Sequence, residues 1–310
     1  MTQIYLSETQ GLLARRLRAH LQREGFSLRL RVDWRGEPVP SGDGVEPCLT
    51  IPQDRRSLAA SFHGCAVLFL LPSPRTAKRS IEERLLRRWA LLSALERAAE
   101  PPPAFYLCEP ALDERLEHAA ALPSLPPAAP ISPLRREPAS WLRREGPGAF
   151  AEALSREKKR LSLLRLGRLY DIDQRGRLLP LEEPLWRDLE RPQSWLYIED
   201  AVEALLQLWL RAPPSLRGCV SGGVMSPAEL WERARAQGAL FQAPGAALAD
   251  ASWRLLTLLD RVGLCPPRQR EQLIELGAAL SPRLLADGDP LPLSPSALRA
   301  PEELLRSGAH

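Results

Sequence analysis

The feature that most limits how this chain can fold is its opening segment, residues 3–17. An apolar run, Ile4 to Leu6, meets a short turn at Ser7–Gly11, and leucines then recur at positions 12, 13, 17 and 21 with arginines between them. Alternating residues indicate a strand, and apolar residues at helical spacing indicate an amphipathic helix. The segment therefore predicts a strand, a tight loop and a helix, which is the repeating unit of a parallel α/β sheet.

The same alternation of strand and helix patterns continues to about residue 209. It predicts a Rossmann-like, doubly wound parallel sheet with a smaller carboxy-terminal lobe. We expect a core over residues 1–165 and a lobe over 166–310 that is interleaved with the last core strands. Within the core, residues 112–147 are rich in proline and show no fixed apolar period, so we expect a mobile surface segment there.

Composition limits the environment and the kinds of site. The chain has 310 residues, 45% of them hydrophobic, and no run of about 18 uncharged apolar residues. We expect a cytoplasmic protein without a membrane segment. The five cysteines are odd in number and form no Cys-x-x-Cys pair, so neither a zinc site nor a disulfide framework is indicated. We predict no metal site.

Charge gives little support to nucleic-acid binding. The formal net charge is +4, but 42 basic residues stand against 38 acidic ones, and only three of the basic residues are lysines. Acidic residues interleave the arginine-rich stretches 11–24 and 81–99, and no aromatic stacking pattern accompanies them. Nucleic acid is therefore an unlikely partner.

The opening loop resembles the Thr-Gly-x-x-Gly-x-x-Gly signature of short-chain dehydrogenase/reductases. Ser7 takes the place of the threonine, Glu8 of the first glycine, Gly11 of the second and Ala14 of the third. In such a loop the backbone approaches the cofactor pyrophosphate, which rests on the helix N-terminus. The resemblance implies that the cofactor would touch Ser7, Glu8, Gly11, Leu12, Leu13, Leu71 and Pro72.

Later stretches resemble the extended and atypical branch of this family, the NAD-dependent epimerases and dehydratases. Residues 44–73 match its third and fourth strands, 160–171 its sixth strand and following loop, and 194–234 its strand-to-helix and Gly-Gly segments. The resemblance places Arg165, Gly167 and Asp200 on the substrate side, with Asp200 as a helix cap. Ser226 and Glu229 have the spacing of a capping box.

One acidic residue has the spacing of a ribose ligand. Asp33 ends the second predicted strand, 22 positions beyond Gly11, where dinucleotide folds place the acid that binds the ribose hydroxyls. An ordinary strand-end aspartate is the alternative. Arg35 would instead attract a 2′-phosphate, so the choice between NAD and NADP stays open.

The catalytic pattern of the family is missing. No lysine stands four positions after any of the four tyrosines, so Tyr-x-x-x-Lys is absent, and a phenol without that lysine is a poor base near neutral pH. Cys108 and Glu109 occupy the place of the family's substrate-binding hydroxyl. Cys108, Glu109 and Arg144 are the weak catalytic candidates. A carboxylate at Glu8 would repel each phosphate by roughly 1–4 kcal/mol.

Three functional hypotheses follow. The leading one is a catalytically degenerate protein of this family that serves as a binding or assembly scaffold, with NAD or NADP binding weak or lost. The alternative is an active atypical reductase or epimerase on a small or nucleotide-linked substrate, using Asp33, Cys108, Glu109, Arg144 or Arg165. A nucleic-acid-binding protein is the third. The partner, whether another protein or a small molecule, and the oligomeric state stay open.

Overall fold

The computed structural model describes more of the predicted core than of the predicted lobe. Its described residues are 2–33, 42–50, 54–72, 81–98, 101–108, 151, 154, 161–172, 192–211, 216–236, 255, 258–259, 262–264, 291, 293, 298–301 and 303–304. The segment 112–147, which includes Arg144, lies outside them, as do Arg35 and Glu109. For Asp33 and Cys108, only the backbone is described.

Strands and helices alternate along the described chain. In order they are β1 Gln3–Leu6, α1 Leu12–Arg23, β2 Ser27–Asp33, β3 Val45–Thr50, α2 Arg55–Ser61, β4 Cys65–Leu70, α3 Ile81–Arg97, β5 Ala104–Cys108, β6 Leu161–Leu166, β7 Arg168–Tyr170, β8 Gln193–Tyr197, α4 Ile198–Arg211, β9 Arg217–Val220, β10 Gly223–Met225 and α5 Pro227–Ala236.

The main sheet has seven strands in the order β3-β2-β1-β4-β5-β6-β9, and every neighbouring pair is parallel. The order reverses direction between β1 and β4, which makes their carboxyl ends the point where doubly wound sheets bind ligands. The prediction of a doubly wound, Rossmann-like parallel sheet is confirmed.

Two apolar cores sandwich this sheet because successive side chains of a strand point to opposite faces. Ile4 and Leu6 face α1 and α4 in one core, whereas Tyr5 faces α2 and α3 in the other. Helix α1 contributes its predicted apolar stripe, including Leu17 and Leu21, to the first core. None of the helices among the described residues is long and apolar enough to cross a bilayer.

Strands β7, β8 and β10 form a second sheet, in the order β10-β8-β7. The predicted loop after β6 is a strand, β7, and Gly167 makes the bend between them, where a Cβ would lie 3.1 Å from the backbone carbon of Trp195. The capping box at α5 is confirmed. Ser226 N–H donates to Glu229 Oε2 at 2.9 Å and Glu229 N–H donates to Ser226 Oγ at 3.2 Å.

The carboxy-terminal residues return to the lobe. Leu291, Leu293 and Leu298 pack against the first core, and the chain then passes Gly222 and Gly223 at backbone distance. A Cβ on Gly222 would overlap the carbonyl oxygen of Arg299. The segment around Arg299, called the tail below, can therefore lie this close only because residue 222 has no side chain.

We predict that Gly222→Ala loosens the tail while the main sheet stays folded, because the added methyl group meets rigid backbone. Hydrogen exchange should rise at residues 298–304 and stay unchanged in β1 and β4. Val224→Ala is the matched control, since Val224 is exposed in the same small sheet and its truncation should leave exchange unchanged. Unaltered exchange in the tail of the Gly222 variant would contradict the prediction.

Candidate functional site

The loop between β1 and α1 keeps part of a phosphate-binding geometry. Gly11 has φ 92°, a backbone region that glycine enters without strain, and α1 begins at the next residue. No side chain caps this helix, and no acidic residue lies in its first turn. Its N-terminus is therefore suited to an anion by charge. Leu13 is buried in the core and Leu12 packs against it, so both anchor the helix.

Ser7 joins the ends of the two central strands. Its N–H donates to the carbonyl of Phe69 at 3.1 Å, and its Oγ accepts a hydrogen bond from the N–H of Leu71 at 2.9 Å. Ser7 is fully buried, as is Leu71, and Pro72 is half-buried beside it. The Ser7 hydroxyl, which stands in the threonine position of the family signature, therefore binds the backbone of the protein itself.

Glu8 is buried, and its carboxylate is turned into the protein. Oε1 of Glu8 lies 3.3 Å from a terminal guanidinium nitrogen of Arg87 on α3, and the two side chains are only 5% and 1% exposed. Burial lowers the pKa of Arg87 to about 10, which leaves it protonated at neutral pH. The carboxylate expected to repel phosphates is therefore balanced by a cation that it touches.

Two further arginines are buried near the carboxyl edge of the sheet. A terminal nitrogen of Arg88 donates to the carbonyl of Leu107 at 2.5 Å, and its guanidinium lies over the ring of Tyr106. Nε of Arg31 donates to Oγ1 of Thr50 at 3.3 Å. Helix α3 thus reaches the ends of β1 and β5 with consecutive arginines. In the sequence, the signal for the two buried arginines of α3 was that Arg87 and Arg88 are adjacent and precede the apolar stretch 89–95.

All four tyrosines of the sequence are described. Tyr5, Tyr106 and Tyr170 are 0%, 1% and 0% exposed, and Tyr197 is half-buried. Burial raises the pKa of Tyr5 to about 12, and burial next to Asp171 and Glu199 also raises the pKa of Tyr197. Proton transfer near neutral pH needs a group whose pKa lies near 7. Neither Tyr5 nor Tyr197 is suited to that task.

Ion pairs tie the lobe to the core and to the tail. Arg16 of α1 contacts Oδ2 of Asp171 at 2.6 Å and Oε1 of Glu199 at 3.4 Å. The buried Asp200 accepts from the backbone N–H of Arg299 at 2.8 Å and from its Nε at 2.9 Å.

The interpretation of Asp200 as a helix cap is wrong. Helix α4 begins at Ile198, so Asp200 lies inside its first turn, and its side chain binds the tail instead of the helix N-terminus. Sequence reasoning missed Arg16, Asp171 and Arg299, since no short-range spacing links them.

The three substrate-side candidates have different places in the fold. Arg165 is an exposed residue near the end of β6, paired in register with Cys108 and Cys219. Gly167 serves the β6–β7 bend, and Asp200 binds the tail. Among the described residues no group of three or more His, Cys, Asp or Glu side chains could hold a metal ion.

We predict that Glu8 and Arg87 are strongly coupled in stability. Glu8→Gln or Arg87→Met alone should cost about 3–5 kcal/mol, because each removes one partner of a buried ion pair, whereas the double variant should cost far less than the sum. Urea unfolding measures all three. The Arg29–Glu46 pair, 3.0 Å apart with Glu46 half exposed, is the control and should give about 0–1 kcal/mol. Simple additivity at Glu8 and Arg87 would contradict the coupling.

A second prediction concerns alkaline pH. Folded Tyr5 keeps its proton up to a pKa of about 12, whereas the unfolded phenol loses it near 10. At Tyr5 the native state therefore binds more protons in this window, so Tyr5 contributes a fall in the free energy of unfolding as pH rises from about 10 to 12, whereas Arg87, with its pKa lowered to about 10, contributes an opposing rise. Tyr5→Phe should remove the Tyr5 contribution, up to about 3 kcal/mol, in urea titrations at a series of pH values. Identical pH slopes for both proteins would refute it.

Comparison with known proteins bears on the fold. No family model matches the chain, and no curated protein matches its sequence. Vestitone reductase from alfalfa (Medicago sativa L.) is similar in structure, with 14% identity, a TM-score of 0.52 and coverage of 80% of this chain and 85% of that one. dTDP-glucose 4,6-dehydratase from Bacillus anthracis str. Ames, solved in complex with NAD, has 13% identity, a TM-score of 0.52 and coverage of 78% and 83%.

A protein from Burkholderia cenocepacia J2315 matches over nearly the whole length. It covers 99% of this chain and 98% of its own, with 13% identity and a TM-score of 0.53. The fold implied by the resemblance in the sequence is thus confirmed: the chain has the Rossmann-like fold of these solved structures.

Proposed function

We propose that this protein is a catalytically degenerate relative of the NAD-dependent epimerases and dehydratases, which keeps their fold as a binding or assembly scaffold and binds NAD or NADP weakly or not at all. The observation that carries the proposal is the state of its tyrosines. Three are closed off from solvent, and the fourth lies among the ion pairs that join the lobe to the tail.

The lysines support the same conclusion. The three lysines of the chain, Lys78, Lys158 and Lys159, never follow a tyrosine by four positions. A tyrosine–lysine pair one helical turn apart therefore cannot form from this sequence, and the phenols lack the charge that lowers the pKa of such a base.

The cofactor loop supports weak or lost binding. The Ser7 hydroxyl accepts a hydrogen bond from Leu71, and the Glu8 carboxylate is paired with Arg87. Releasing either group toward a ligand would break a buried contact, which costs about 1–3 kcal/mol for a hydrogen bond and more for an ion pair. A dinucleotide would have to offset that cost before any net affinity appeared.

One observation favours a second candidate, an active atypical reductase or epimerase. The uncapped N-terminus of α1, with Gly11 at positive φ and no acid in the first turn, suits a phosphate. Since Glu8 is neutralised, repulsion does not by itself forbid binding. In this candidate Arg165, Cys108 or Glu109 would act on the substrate, and Asp33 would bind the ribose.

Nucleic-acid binding gains no support. Of the arginines on α3, Arg87 and Arg88 are buried and hold the sheet edge, so they offer nothing to a phosphate backbone. On α1 the exposed arginines are Arg15 and Arg23, and two cations release few of the counterions on which such binding depends. A protein or small-molecule partner fits the scaffold proposal better.

We predict that the wild-type protein binds NAD, NADH, NADP and NADPH with dissociation constants above roughly 1 mM, equivalent to about −4 kcal/mol. Titration followed by tryptophan fluorescence or melting temperature measures this. Micromolar affinity for any of the four would overturn the proposal and place the active-enzyme candidate first.

A double variant separates the causes of weak binding. Glu8→Gly together with Arg87→Met removes the ion pair without stranding a buried charge, and at least a tenfold gain in affinity, about 1.4 kcal/mol, would identify that pair as the obstruction. Glu46→Gly with Arg29→Met is the matched control and should leave affinity unchanged.

A further inference from the structure

We propose that the carboxy-terminal lobe carries a peptide-binding groove, which the tail of this chain fills and which accepts a matching segment of another protein. The matching segment has an arginine, a small residue and a proline in succession, and a leucine three positions later, as in residues 298–304, LRAPEEL. This inference rests on the proposed function and deepens it, because it gives the scaffold a partner class: a protein that presents such a segment.

A buried carboxylate binds the arginine of the tail. Asp200 is 3% exposed. Its Oδ2 accepts from the backbone N–H of Arg299 at 2.8 Å, and its Oδ1 accepts from Nε at 2.9 Å and from Nη2. The guanidinium also lies over the ring of Tyr197, with Cζ of Arg299 5.0 Å from the ring centroid. One carboxylate thus binds the backbone and the forked side chain of the same residue, an arrangement that selects arginine.

Two glycines determine which residues fit after the arginine. A Cβ on Gly222 would overlap the carbonyl oxygen of Arg299, and a Cβ on Gly223 would lie 3.0 Å from Cδ of Pro301 and 3.6 Å from Cβ of Ala300. The tail therefore lies at backbone distance from the lobe, and Pro301 is buried there. A small residue followed by a proline matches this space.

The tail turns after the proline and buries a leucine. The N–H groups of Glu303 and Leu304 donate to the carbonyl of Ala300 at 3.0 and 3.3 Å, and Leu304 is buried. Proline suits the start of such a turn because its φ is fixed and no N–H is needed there. The contacts all come from one continuous stretch of chain. The same stretch in another protein carries them with it.

Exposure and tethering decide when another segment takes the groove. The side chain of Arg299 is 45% exposed, and solvent weakens ion pairs of this kind. A tethered segment acts at an effective concentration of about 1 mM. The tail is thus an internal competitor, which holds the groove against weak or dilute ligands and is displaced by a segment that is concentrated or binds more tightly.

The test uses the full chain with Arg299→Asp, which places a second carboxylate against Asp200 and expels the tail by repulsion of like charges. A dye-labelled peptide with the sequence of residues 298–304 is titrated and followed by fluorescence anisotropy. We expect this variant to bind the peptide at least about tenfold more tightly than the wild type does. It should also prefer this peptide by at least about tenfold over one in which alanine replaces the arginine.

Two further variants check that the groove reads the arginine. Adding Asp200→Asn to Arg299→Asp should remove the preference for the arginine peptide, because the paired carboxylate is gone. Adding Glu203→Gln instead is the matched control, since Glu203 is exposed on the same helix and should leave both affinities unchanged. The proposal is overturned if folded Arg299→Asp protein binds neither peptide, binds both equally, or keeps its preference after Asp200→Asn.

A second measurement uses the wild type and does not depend on the folding of any variant. At about 1 mM peptide, which matches the effective concentration of the tail, hydrogen exchange should rise in residues 298–304 of the protein and stay unchanged in β1 and β4. The alanine peptide should cause no rise. Unchanged exchange in the tail with the arginine peptide would overturn the proposal.

These measurements use no nucleotide, so they fail independently of the proposed function. Micromolar NAD binding by the wild type together with peptide binding would end the proposal of a degenerate scaffold and leave the groove standing. Weak NAD binding without peptide binding would do the reverse.

Discussion

The contact that fixes the loops beyond the central strands is the buried ion pair of Glu8 and Arg87. It lies beside β1 and β4, between which the sheet order reverses, and it joins the first loop of the chain to the helix that follows β4. In a parallel sheet the strands are held by backbone hydrogen bonds, but the loops beyond them are not. Here side chains fix those loops, because Ser7 and Glu8 bind groups that follow β4 and stand 64 and 79 positions further along the chain.

Ion pairs also join the lobe to the core and to the tail, but these pairs are more exposed to solvent. Arg16 is about two-fifths exposed where it meets Asp171, and Arg299 is similarly exposed where it meets Asp200, although both carboxylates are buried. Pairs of this kind contribute less to stability than fully buried ones because solvent screens them. They do fix the orientation of the paired side chains, because a buried carboxylate needs hydrogen-bond donors. The lobe is therefore oriented by charge as well as by the apolar side chains that it contributes to the first core.

The sequence was enough to predict the fold because the signals for it are local. Alternation in β2, the helical spacing of α1 and the Ser226–Glu229 capping box each lie within a few residues, and each was recovered with small boundary shifts. Family resemblance added the order of the later elements. The strand β7 was read as a loop because three residues give too short a pattern.

The candidate site was less predictable because its contacts are long-range. Arg87 stands 79 positions from Glu8, and Arg299 stands 99 positions from Asp200. Nothing in a chain that contains so many arginines distinguishes those that are buried. From the sequence alone, Glu8 was expected to repel phosphates. The cation that balances it lies on α3, and only tertiary packing decides which side of that helix faces the loop.

The tail also has a consequence for the order of folding. Asp200 becomes buried when α4 packs on the core, yet the donors that the described residues supply to its carboxylate come from Arg299, 99 positions further along the chain. During synthesis the core strands leave the ribosome first and are able to pair, whereas the lobe must hold a desolvated carboxylate until residue 299 emerges. The lobe is therefore completed later than the main sheet, and a chain truncated before residue 299 would carry the sheet with an unfinished lobe.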